Sequence, residues 1–190
     1  MSQPPLENQT DFIVHPQLLV DRDGEKLVTM VKSTWQLPVG GDQLELAPEA
    51  RQRGIRPGEI PWGLPEETSP MLPGDFCVRK PGTDVVLVAR GYAPGGRPVG
   101  HFDVSVRVGA VSKVLRVFGL RVWEAAGSGV SSPRPLTDLE LRYEHAWGGS
   151  EFDALGHGVE EARNPLGRGV VIDPASLTHQ PAPQIENPFE

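Results

Sequence analysis

His101-Phe102-Asp103-Val104-Ser105-Val106-Arg107-Val108-Gly109-Ala110-Val111-Ser112-Lys113-Val114-Leu115-Arg116-Val117-Phe118 is the stretch that decides the fold. Phe102, Val104, Val106 and Val108 alternate with His101, Asp103, Ser105 and Arg107, which is the period of a half-buried strand. Gly109-Ala110 follows as a two-residue turn with glycine first, the type II′ signature. In that register Phe102 faces Val117 and Val104 faces Leu115 on one side, and Asp103 faces Arg116 on the other. A slip of one residue would put the valines in water, so the pattern sets its own register.

Outward from this hairpin, punctuation by glycine and proline dominates. The two make up 42 of 190 residues, about 22% against an ordinary ~12%. The longest stretch free of both, residues 25–37, is only 13 residues. An interior proline costs a helix about 3 kcal/mol and a glycine about 1 kcal/mol relative to alanine. Long helices are therefore excluded, and the β-branched Val28, Thr29, Val31 and Thr34 make the 25–37 segment a strand. The turn Asp21-Arg22-Asp23-Gly24 joins it to Gln17-Leu18-Leu19-Val20 as a second hairpin. Further strands are expected at residues 43–46, 76–79, 85–92 and 139–143. The expected fold is all-β: antiparallel sheets, sandwich-like or an open barrel, with long Pro/Gly-rich loops and little helix. Residues 1–163 read as a single β-rich domain and residues 164–190 as an extended Pro-rich tail. Residues 56–73, with five prolines, read as an irregular excursion, and residues 127–135 as a Ser/Gly/Pro loop with a disordered tip.

A net charge of −7 without any cluster of Lys and Arg argues against nucleic acid, whose phosphates need such clusters. The N-terminus Met1-Ser2-Gln3-Pro4-Pro5-Leu6-Glu7 has neither the charge nor the apolar run of a signal peptide. No apolar run approaches the ~18 residues of a membrane span. The single Cys77 fits a reducing compartment and reads as a small buried hydrophobe. The chain is expected to be cytoplasmic, with no membrane and no cofactor.

No reaction centre assembles from the pattern. Gly95 to Gly100 lacks the lysine and the following helix of a phosphate loop. Gly127-Ser128-Gly129 lacks the spacing of a nucleophile elbow. Glu144, His145, Glu151, Asp153 and His157 are types that zinc accepts, which keeps a metal-dependent hydrolase as one alternative, but Gly148-Gly149 denies them a common helix. A carbohydrate-binding β-sandwich is the other alternative. Trp62 and Trp147, beside glycines, would stack sugars there, while Trp35 and Trp123 read as core. His15, His101 and His179 stand alone.

Four ordered blocks point elsewhere. The first is Lys80-Pro81-Gly82-Thr83-Asp84-Val85 with the strand ending Gly91-Tyr92-Ala93-Pro94. The second runs from Lys113 to Trp123. The third is Leu141-Arg142-Tyr143-Glu144-His145-Ala146-Trp147-Gly148-Gly149. The fourth is Asn164-Pro165-Leu166-Gly167-Arg168-Gly169. In this order, from Val28 to Pro188, they resemble the family called domain of unknown function 2169. The resemblance implies a bacterial, non-enzymatic adaptor or chaperone. Such a protein binds a type VI secretion effector, a toxin linked to a PAAR spike tip, and helps load it onto the secretion spike. It carries over no catalytic residue and no metal. Two departures stand out: Leu120 where members have Asp, and an end near Pro188 where members continue, so that residues 164–190 are expected to open a second half. Lys80, Pro81, Thr83, Asp84, Trp123, Glu144, Gly148, Gly149, Asn164, Pro165 and Gly167 read as scaffold within the blocks. Trp147, Tyr143, Arg121 and Trp62 are the expected partner-binding residues, since Trp, Tyr and Arg dominate interface hot spots. Strand addition is one route by which such a chain would bind.

Overall fold

The computed structural model describes residues 6–22, 24–38, 43–77, 80–125 and 129–189. The chain is all-β, with several small antiparallel sheets, no closed barrel, and helix confined to short 3-10 turns among the described residues. Contacts divide it into two compact units. The first comprises residues 1–60 and 73–83, the second residues 61–72 and 84–190. Residues 164–190 belong to the second unit throughout.

In the first unit, strands β1 (Ile13–Asp21) and β2 (Gly24–Lys32) form an antiparallel ribbon closed at Asp21↔Gly24. The hairpin is as the turn chemistry requires. β3 (Trp35–Gln36) pairs with β4 (Glu45–Leu46), a shorter strand than 43–46. The Gln52 side chain ties this corner together: its carbonyl accepts from the Thr34 amide at 2.8 Å and its amide donates to the Ala47 carbonyl at 2.6 Å. Asp75 accepts from the Arg56 amide at 2.7 Å and pairs with Lys32 and the Arg56 guanidinium. Burial pushes the Asp75 carboxyl up, but these donors outweigh it and hold the group below the usual carboxylate range. Trp35, expected in the core, is 47% exposed, and Cys77 is exposed as well. Of the strand expected at 76–79, Phe76 and Cys77 are not in a strand, and Val78 and Arg79 lie outside the described residues.

The excursion carries β5 (Ile60–Pro61) and β6 (Pro70–Leu72), which pair with each other. In the second unit β7 (Arg90–Tyr92) pairs with β10 (Asp138–Glu140). The deciding hairpin is β8 (His101–Val108) and β9 (Val111–Phe118), and its register is the one read from the sequence, with Phe102↔Val117, Asp103↔Arg116 and Val104↔Leu115. Gly109 turns at φ 58°, where a side chain would be strained. Arg116 Nε donates to the Asp103 carboxylate at 2.8 Å across the wet face. On the dry face Phe102 and Val117 pack with Ala93, and Val99, Val104, Leu136, Leu139 and Leu141 surround them. This is the core of the unit. Only Arg90–Tyr92 of the expected strand 85–92 is paired. Val85, Val86, Leu87 and Val88 are 41–56% exposed.

Residues 164–190 are not a free tail. β15 (Ile185–Glu186) adds to the outer edge of β9, with Ile185 opposite Val117. Ala182, Gln184 and Ile185 are buried. The loop expected at 127–135 is likewise drawn in where it is described: Trp123 bridges Val130, and the Arg134 amide donates to the Leu120 carbonyl at 3.0 Å. Gly127 and Ser128 lie outside the described residues.

Candidate functional site

Within the second unit, the Trp147-Gly148-Gly149 and Asn164-Pro165-Leu166-Gly167-Arg168-Gly169 blocks fold onto each other. β11 (Trp147–Gly148) runs parallel to β14 (Arg168–Gly169), with Trp147↔Arg168 and Gly148↔Gly169. The Asn164 side chain, itself buried, is the fastener. Its amide donates to the Tyr143 carbonyl at 2.9 Å and to the Trp147 carbonyl at 2.8 Å. Its backbone carbonyl accepts from the Gly149 amide at 2.8 Å and the Gly167 amide at 3.1 Å. Gly148 has φ 151°, and a Cβ there would lie 2.1 Å from the Asn164 carbonyl oxygen. A Cβ on Gly169 would lie 2.4 Å from the Trp147 ring. The spacing of the two blocks thus fits the close approach of their backbones.

The next layer fixes the segment that leads into this knot. Tyr143–His145 forms a single 3-10 turn where the sequence reads as the end of a strand. The Glu144 carboxylate accepts from the Ser69 amide at 2.7 Å and the Ser69 hydroxyl at 2.8 Å. Burial raises the Glu144 carboxyl, and the Ser69 donors more than offset it, so the group stays below its ordinary range. Burial first, then the nearby Arg168 cation, pushes His145 down. The His145 carbonyl accepts from the Gln184 amide at 2.7 Å, which joins the C-terminal segment to the turn.

What the knot holds out to solvent is aromatic. Trp147 is 48% exposed and Tyr143 60% exposed. Trp147 meets Trp123 edge-on, with ring centroids 6.4 Å apart at 70°. This pair forms a ridge between two grooves. One, about 410 Å³, is lined by Val159, Val170, Val171, Pro174 and Leu177. The other, about 510 Å³, is lined by Leu115, Val130, Tyr143, Pro183 and Ile185, with Lys113, Glu161 and Glu186 supplying charge. Trp123 is held by backbone bonds to Gln180 and His179, and its Nε1 is buried with no partner among the described residues.

Two of the four expected partner-binding residues, Trp147 and Tyr143, therefore stand together. Trp62 lies in the same unit, half-buried beneath the Arg142 guanidinium, which sits 4.2 Å from its ring centre. Arg121 stands apart from that exposed pair. It is only 9% exposed, donates to the Pro183 carbonyl, pairs with Glu186 and lies 3.7 Å from the Phe118 ring centre. It clamps the C-terminal segment. Of the scaffold residues, Lys80, Pro81, Thr83 and Asp84 form an exposed bend, Pro165 is exposed, and Gly149 and Gly167 belong to the knot.

The acidic and histidine residues between 144 and 157 do not converge. Glu144 is engaged by Ser69, and Glu151 accepts from the Ile172 amide at 2.6 Å. Asp153 caps the turn between β12 (Ser150–Phe152) and β13 (Gly158–Glu160) by accepting from the Leu155 and His157 amides. His157 Nδ1 lies 3.4 Å from Asp153 at the surface. Among the described residues no three His, Cys, Asp or Glu are grouped to hold a metal ion.

The blocks that build the knot lie within the range of a known family model. The model described as "Uncharacterized protein conserved in bacteria (DUF2169)" matches residues 22–190. The chain belongs to this family. DUF2169 is a bacterial family, and its match takes in the second unit whole and most of the first. No curated protein and no solved structure matches the chain. No helix among the described residues is long and apolar enough to cross a membrane.

Proposed function

We propose that this DUF2169 protein is a cytoplasmic, non-enzymatic adaptor. It binds a type VI secretion effector, a toxin linked to a PAAR spike tip, and helps load it onto the secretion spike. The reading rests on the family resemblance, and the observation that carries it in the structure is the Trp147–Tyr143 surface. Two large aromatics are held half in water on a backbone fastened by Asn164, beside grooves deep enough to receive side chains. Aromatics in that setting bring large contact area at little entropic cost, because the scaffold has already fixed them. A substrate pocket would instead gather ionisable groups with perturbed titration around a cleft. Here the perturbed carboxylates Glu144 and Asp75 are spent on holding loops.

The test is co-purification of the chain with the effector and PAAR protein encoded beside its gene. A stoichiometric complex that survives gel filtration is expected. Failure of two separately folded proteins to associate at micromolar concentration would remove the adaptor reading.

A further inference from the structure

The β15-β9-β8 sheet is covered along only part of one edge. β15 pairs with β9 at Arg116 and Val117, and among the described residues no strand pairs with the outer edge of residues 111–115. The ladder shows which groups are left over. The Gly119 amide donates toward β8, to the Gly100 carbonyl at 2.9 Å, and the Phe118 amide donates toward the C-terminal segment, to the Gln184 carbonyl at 2.8 Å. Alternation along an antiparallel strand then turns the N–H and C=O of Arg116, Val114 and Ser112 to that outer side. Arg116 stands opposite Glu186, whereas Val114 and Ser112 meet no strand. The chain's own continuation does not serve them. Extending the register puts Pro188 opposite Val114, and proline has no N–H to offer the Val114 carbonyl. β15 accordingly ends at Glu186.

We infer that the Ser112–Val114 edge of β9 receives an extended segment of the partner, added as a strand in line with β15 and bearing a carboxylate for Lys113. The inference rests on the adaptor reading and names the part of the effector that this surface takes. Charge and continuity choose the occupant. Lys113 and Leu115 line the groove of about 510 Å³ together with Tyr143, Trp147 and Ile185. The two carboxylates of that groove are engaged, Glu161 with Arg163 and Glu186 with Arg121. Lys113 has no partner among the described residues, so an acidic side chain is what it lacks. A segment antiparallel to β9, as β15 is, enters from the groove. Its first residue exchanges backbone bonds with Val114, its second sets the carboxylate opposite Lys113, and its third bonds Ser112. Its fourth is apolar, because it shares the face of the second and meets Val111 and Val108, which are 54% and 51% exposed. A helix satisfies its own amides and would leave Val114 and Ser112 unserved. Edges of this kind template strand pairing, in which main-chain bonds give affinity and alternate side chains give specificity.

The test titrates the full chain with the blocked hexapeptide acetyl-Ser-Thr-Asp-Thr-Val-Thr-amide, following each backbone amide by NMR. Exchange at the Val114 and Ser112 amides is expected to slow at least tenfold on binding, with the Asp103 and Arg107 amides of β8 unchanged. Methylating the backbone nitrogen of the threonine before the aspartate removes the donor to the Val114 carbonyl, and is expected to weaken binding at least fivefold. Lys113→Glu, at an exposed side chain, is expected to weaken the peptide at least fivefold and to favour a version with Lys in place of Asp. Absence of binding at millimolar peptide, equal binding of the methylated peptide, indifference to Lys113→Glu, or protection along β8 instead would each overturn the inference. Success of effector co-purification with failure of the peptide overturns this inference alone. Failure of co-purification removes the reading on which it rests.

Discussion

Replacing Asn164 with Ala should loosen the knot that presents Trp147 and Tyr143. The substitution removes two donors, one 2.9 Å from the Tyr143 carbonyl and one 2.8 Å from the Trp147 carbonyl. A net hydrogen bond contributes about 0.5–1.5 kcal/mol, and an orphaned buried acceptor costs more than a merely lost bond. The expected loss is therefore about 1–3 kcal/mol. For a chain of this size each kcal/mol moves the melting temperature by about 2–4 °C, so a fall of roughly 2–12 °C should appear in thermal unfolding followed by tryptophan fluorescence. Asn164→Asp is the sharper variant, because it turns a carboxylate toward the same two carbonyl oxygens. Burial beside acceptors would raise its folded pKa above the ordinary ~3.9. Its penalty relative to the native chain should then grow as pH rises above about 4 and shrink as pH falls toward it, where the protonated acid can donate one bond. Loss of less than about 0.5 kcal/mol for Asn164→Ala, or an Asn164→Asp variant no worse than Asn164→Ala at pH 7, would refute the reasoning.

Glu144→Gln should cost about 1–2 kcal/mol at pH 7 by setting an amide against one of the Ser69 donors. Because the Glu144 carboxyl is held below its ordinary range, its contribution is present above about pH 4.5 and lost as pH falls through its folded value. The gap between native and variant in urea unfolding should accordingly close in acid. Gly148→Ala should cost about 3 kcal/mol or more, or abolish soluble expression, since the new Cβ would stand 2.1 Å from the Asn164 carbonyl oxygen at a φ of 151°. Arg121→Ala should release the C-terminal segment. Amide exchange at Ala182 and Gln184 should accelerate at least tenfold, while the Val104 and Leu115 amides of the β8–β9 hairpin keep their protection.

The hairpin at 101–118 was legible because every cue agrees there: period-2 alternation, a glycine where φ is positive, and a cross-strand ion pair that works in one register only. The β1–β2 hairpin was legible from the Asp and Gly punctuation between its strands. The segment 85–92 misled because a run of β-branched residues states a preference, not a partner. Pairing begins only at Arg90, where β10 is available. Pro-rich residues 164–190 read as an extended tail because proline recurrence reports the absence of helix and is silent on whether an edge awaits. The edge is that of β9, and the contact is made by Ile185 and Glu186, between prolines. At the site, the blocks around Trp147 and Asn164 were visible as a resemblance, and Asn-Pro beside clustered glycines hinted at tight turns. That Asn164 reaches back across 17 and 21 residues to two carbonyls was not visible, since nothing local distinguishes that asparagine from a surface one. The burial of Arg121 was not visible either, since arginine serves equally at surfaces and as a buried clamp.

The measurement closest to the central claim is the affinity of the chain for the effector that the adaptor proposal assigns it, before and after Tyr143→Ala with Trp147→Ala, read by calorimetry beside a melting curve. Loss of at least tenfold in affinity, with the β8–β9 core still melting cooperatively, is what an aromatic docking ridge on a rigid all-β scaffold predicts. Native-strength binding by the doubly substituted chain would contradict it.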